Sequence, residues 1–87
     1  MWINIAASKK PNDVPAFFEA VKAAFPEITA GVIAEGYGCN NFGFIIEATD
    51  DRAERIANEL TMALMPSRWS TCQDDPMLKP GEFYDAR

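Results

Sequence analysis

Side chains able to carry chemistry are few, and the missing ones decide most. The 87-residue sequence has no histidine, which removes every Ser-His or Cys-His nucleophile pair and every imidazole metal ligand. Cys39 sits in Gly36-Tyr37-Gly38-Cys39-Asn40-Asn41 with no basic neighbour to lower its pKa, so it reads as an inert loop thiol. Carboxylates pair only as sequence neighbours, Asp50-Asp51 and Asp74-Asp75. Nothing beside them separates two pKa values as an acid and a base require, and their spacing is not that of a calcium loop. The expectation is a chain that is not an enzyme and uses no metal or cofactor. What remains is recognition. A small anionic ligand could be held by Lys9, Lys10 and Arg68 with the backbone N–H groups around Gly36 and Gly38; a protein would be held by aromatic and aliphatic side chains.

Either set needs a scaffold to assemble it, and the clearest element is a β-hairpin over Ile28 to Asp50. Ile28, Ala30, Val32 and Ala34 alternate onto one face of its first arm, and Phe42, Phe44, Ile46 and Ala48 onto one face of the second. Glycine and asparagine at the tip tolerate the positive φ of a tight turn. Before it, Met1 to Ser8 reads as a strand with Ile3, Ile5 and Ala7 on one face and Trp2, Asn4 and Ala6 on the other. A helix follows from Asp13 to Phe25, capped by Asn12, with Val14, Phe17, Phe18, Val21 and Phe25 as its buried stripe and Glu19 and Lys22 pointing away. Pro26 ends it.

After the hairpin, an acidic cap at Asp51 with Glu54 three residues on opens a second helix, whose apolar side is Ala53, Ile56, Ala57, Leu60, Ala63 and Leu64. Met62 and Met65 read as gap-fillers at the core margin, and Pro66 stops the helix. Ser67 to Gln73 reads as a last strand. From Asp74 to Arg87 two prolines and a glycine indicate an extended tail with no helix. The domain is therefore residues 1–73 and the tail 74–87.

The order β α β β α β is the split βαβ pattern of the ferredoxin-like fold, an α+β architecture with a four-stranded antiparallel sheet and both helices on one face. Right-handed crossovers put the first and third strands at the centre, and the second and fourth at the edges. One end of the sheet then gathers Lys9, Lys10 and Arg68, and the other Glu27, Asp50, Asp51, Asp74 and Asp75. Cys39 and Cys72 fall on strands kept apart by a third, which predicts two free thiols.

The sheet face away from the helices is predicted to carry Trp2, Asn4, Ile33, Glu35, Tyr37, Ile45 and Glu47, more apolar than a solvated face requires. Its interface residues are expected to be Trp2, Ile33, Tyr37 and Ile45, with Phe83 and Tyr84 from the tail. The bland alternative is that the tail folds back over the face through Met77, Leu78, Phe83 and Tyr84.

Composition narrows the partner. The formal charge is −5, from eight Lys and Arg against thirteen Asp and Glu, which opposes direct binding of duplex nucleic acid. No apolar run approaches a membrane span and the first residues lack the pattern of a signal peptide, so the expected setting is cytoplasmic. The leading expectation is a protein-binding module that regulates or inhibits a protein partner, or forms a homodimer, through the open sheet face. The rivals are a sensor of an anionic metabolite at the basic end and a small acidic inhibitor, of a kind a virus would encode, that mimics nucleic acid.

Overall fold

A computed structural model describes residues 1–7, 11–36, 39–64, 68–71 and 78–87. Along the chain run β1 (Trp2–Ala7), α1 (Val14–Ala24), β2 (Ile28–Gly36), β3 (Cys39–Ile46), α2 (Asp50–Leu64), β4 (Trp69–Thr71) and β5 (Phe83–Asp85). The fold is α+β. Its sheet has five strands in the order β4-β1-β3-β2-β5, not the four expected. β1 runs antiparallel to β3 and β4, and β2 antiparallel to β3, but β5 lies parallel to β2, so the sheet is mixed. β1 and β3 occupy inner positions, whereas β2, expected at an edge, is flanked by β5. No helix among the described residues is long and apolar enough to cross a membrane.

Both helices start at a side-chain cap. The Asp13 carboxylate, not Asn12, accepts a 3.0 Å hydrogen bond from the Ala16 N–H, and Pro15 sits in the first turn, where its missing N–H has no helical partner to lose. The second helix is entered through Thr49, whose hydroxyl accepts from the Arg52 N–H at 3.4 Å and whose carbonyl accepts from the Ala53 N–H at 2.8 Å. Asp51, expected as the cap, lies inside the first turn beside Asp50, where negative charge suits the positive end of the helix.

The helices lie on one side of the sheet. Ile3 pairs with Phe44 and Ile5 with Phe42, so these four share a face, and they form one cluster with Phe18 and Val21 of α1 and Ala53, Ile56, Ala57 and Leu60 of α2. Rings run along this layer, with Phe17 and Phe42 centroids 5.7 Å apart and Phe18 and Phe83 5.5 Å apart. Gly31 permits the close approach. A Cβ there would stand 3.0 Å from the Phe44 ring and 3.2 Å from the Phe18 ring. Ala63 and Met62 are exposed, Met62 by 75%, so it fills no gap in the core.

A β-bulge reverses the expected faces of β2. Ile28 pairs with Ile46 but Ala30 with Ile45, so Thr29 is the extra residue and every side chain after it changes side. Ala30, Val32 and Ala34, expected in the core layer, therefore share the face of Ile45 and Gly43, while Ile33, expected on the open face, is fully buried opposite Phe42. Glu35 moves with Ile33, to the helix side, and is exposed.

β5 arises within the segment read as a tail. Lys79-Pro80-Gly81-Glu82 makes a tight turn in which the Glu82 N–H donates to the Lys79 carbonyl at 3.0 Å, and Gly81 has φ +85°. Proline then glycine at the two central positions is the signature of a type II turn. The chain next pairs Phe83, Tyr84 and Asp85 with Gly31, Val32 and Ile33. Gly81→Ala should lower stability by about 1 kcal/mol, since nothing within 4 Å of the added methyl opposes it and only the left-handed backbone does. A urea titration of both proteins measures the difference, and no loss would mean the turn relaxes at no cost.

Candidate functional site

The side of the sheet away from the helices is built by alternation from five strands. β1 contributes Trp2, Asn4 and Ala6, β3 contributes Asn41, Gly43 and Ile45, and β2 contributes Ala30, Val32 and Ala34; Ser70 of β4 pairs with Asn4, and Tyr84 of β5 with Val32. Trp2, Val32, Ala34 and Ile45 are each partly accessible and Tyr84 is 43% exposed. Trp2 and Ile45 face one another directly across β1 and β3, which gives the patch its largest apolar pair.

Trp2 also reaches diagonally along β3. A Cβ placed on Gly43 would lie 2.4 Å from the far edge of the indole, so the six-membered ring covers a backbone position that only glycine leaves open. Gly43 is buried in consequence. An aromatic ring over a strand glycine restores the packing that the glycine lacks, and it keeps the middle of the face low.

Of the interface residues expected from sequence, the structure places Trp2, Ile45 and Tyr84 on this face. Ile33 belongs to the core, and Phe83 turns to the helix side, where it packs on Phe18 with the Lys22 ammonium 5.0 Å above its ring. Lys22, expected to point away, is thus partly covered, and it also pairs with Glu19 at 2.6 Å. Tyr37 lies outside the described residues. Val32 and Gly43 are the additions, and neither could be found without locating the bulge at Thr29 or the lean of the indole.

The two ends of the sheet hold less together than expected. Lys9, Lys10 and Gly38 lie outside the described residues, as do Met65, Pro66, Cys72, Asp74, Asp75 and Met77. Arg68 is exposed and borders a shallow groove with Asn4, Ala6 and Ser70, whereas Gly36 closes β2, three strand spacings or about 14 Å across the sheet. At the other end the Glu27 carboxylate accepts a 2.7 Å hydrogen bond from the Arg52 guanidinium. That bond holds the Glu27 carboxyl below its ordinary value of 4.5 and raises Arg52 in return. Glu27 is thus committed to a structural pair.

A carboxylate with a depressed folded-state pKa contributes stability that is present above its unfolded value and lost as pH falls through the folded one. Stability should therefore decline below about pH 4.5 more steeply in the parent than in Glu27→Gln, the effect being small because the pair is partly exposed. Melting temperatures across an acid series check this; parallel acid limbs would show that the pair does not contribute.

The chain matches no known protein family, no curated protein and no solved structure.

Proposed function

We propose that this chain is a non-catalytic module that binds protein through its open sheet face, regulating or inhibiting a partner or joining a second copy, and that it works in the cytoplasm. In this reading the two helices and the first four strands form a ferredoxin-like scaffold, with β5 an addition at its edge. One observation carries the reading: Trp2, Ile45, Val32 and Tyr84 run across neighbouring strands as an accessible apolar band. Aromatic residues grouped with aliphatic ones on an accessible surface are what the centres of protein interfaces are enriched in.

The test is Trp2→Glu combined with Ile45→Lys. In the free chain both new charges remain hydrated, whereas in an interface they would be desolvated. The double variant should stay folded, melting somewhat lower for want of the indole over Gly43, yet lose self-association and whatever host protein the tagged parent retains. Unchanged association, or a parent that is monomeric and retains nothing, would refute the proposal.

A further inference from the structure

We infer that the occupant of the open face is a second copy of this chain, stacked sheet on sheet about a two-fold axis; this rests on the reading of that face as a protein-binding surface. Charge is the first ground. The chain is 24% charged with a net charge of −5, and at that frequency a face of this size would carry about two or three charges. Among the described strand residues directed to it there is none. Charges flank the strand ends at Glu27 before β2, Glu47 after β3, Arg68 before β4 and Glu82 before β5, and the two within strands, Glu35 and Asp85, fall on the helix side. Six further exposed charges, Glu19, Asp50, Asp51, Glu54, Arg55 and Glu59, lie on the helices, across the sheet.

An isologous interface sets each patch against itself, so any charge near its centre would meet its own copy. A different protein binding a chain this acidic would instead gain from charges placed to meet it. A neutral face with the charges turned outward is the distribution that self-pairing requires.

Shape is the second ground. Sheets pack face to face about 10 Å apart, a spacing that small side chains in the middle of each face allow. Here Gly43 of β3, the central strand, carries no side chain, and its nearest cover is the indole edge of Trp2. Extent then sets the strength. Five strands and six residues span about 19 by 20 Å, roughly 400 Å² per copy, below the area of stable complexes. Association should be reversible, with dissociation constants in the micromolar range or weaker.

The experiment is sedimentation equilibrium of the full chain from about 10 µM to about 1 mM, at low and high salt. The mass should rise from 9.6 kDa toward twice that value with concentration. Added salt should strengthen the pair, because it screens repulsion between two acidic copies while no interfacial ion pair exists for it to weaken. Val32 pairs with Gly43 near the centre of the face. Val32→Glu and Val32→Lys should each be monomeric, and an equimolar mixture of the two should recover the dimer. If either melts well below the parent, Ile45→Glu and Ile45→Lys take their place. A parent monomeric throughout, variants that still dimerise, or a mixture that stays monomeric would each overturn the inference. A monomeric parent that nevertheless retains a different protein, lost on Trp2→Glu, would overturn only the second copy and leave the binding face standing.

Discussion

Phe44→Ala should remove about 3 to 5 kcal/mol of stability, and Leu60→Ala about 2 to 5 kcal/mol, the largest losses expected from single substitutions here. Phe44 is completely buried in an inner strand, paired with Ile3 on one side and Gly31 on the other. Its ring fills the space that Gly31 leaves between β2 and Phe18. Truncation would open a cavity that the neighbouring strands, fixed by their ladders, cannot close. A domain of this length has a total stability of only about 5 to 10 kcal/mol, so either change consumes a large share of it. Urea unfolding should show a lower midpoint with the same slope. Glu47→Ala, at an exposed position, should stay within about 0.5 kcal/mol and serves as the control. If Phe44→Ala melts within a degree or two of the parent, the assignment of that strand's buried face is wrong.

Ending the chain after Glu82 should lower stability by about 2 to 4 kcal/mol and produce aggregation, two effects with separate causes. The first is lost packing and pairing. Phe83 no longer stacks on Phe18, and the ladder from Gly31 to Ile33 loses its outer partner. The clamp of Arg87, which grips Asp85 through two hydrogen bonds of 2.7 and 2.6 Å and reaches Asn40 of β3 at 3.1 Å, goes with it. The second effect is exposure of β2 as a long edge strand whose residues are almost all apolar or glycine, a template for pairing with other chains. Phe83→Ala separates the causes. It should cost about 1 to 2 kcal/mol without aggregation, because the strand would still cover the edge. A truncated protein as stable and monodisperse as the full chain would show that β5 contributes nothing.

How much of this was legible in the sequence depends on whether the signal was local. Helical spacing of Phe18, Val21, Ile56, Ala57 and Leu60 located both helices and most of their buried sides, and alternation in β1 and β3 placed Ile3, Ile5, Phe42, Phe44 and Ile46 in the core. The order of the first four strands followed from hairpin geometry and crossover handedness. In β2 alternation breaks at Thr29, a bulge that composition does not mark. Ile33 and Val32 consequently exchanged sides. β5 was missed for another reason. Pro80-Gly81 reads locally as a breaker, although the same dipeptide makes a tight turn that delivers Phe83 and Tyr84 to a distant strand. For the candidate site, Trp2, Ile45 and Tyr84 were readable from alternation and aromatic content, but the cover of Gly43 was not, since it depends on which way a side chain leans.

The pairing pattern also implies an order in time. β2 and β3 follow one another closely in sequence and can zip within microseconds, whereas β1 joins β3 through partners such as Met1 and Ile46, 45 residues apart. β5 can dock only on a β2 that already exists. Folding should thus begin at the hairpin, recruit β1 as the chain collapses around Phe42 and Phe44, and add the outermost strand last. Amide protons of β1 and β3 should exchange only on global unfolding, and those of β5 through smaller, more frequent openings. In each such opening the edge of β2 is briefly bare, so the rate at which this protein aggregates on storage should follow the breathing of three residues and not the melting of the whole.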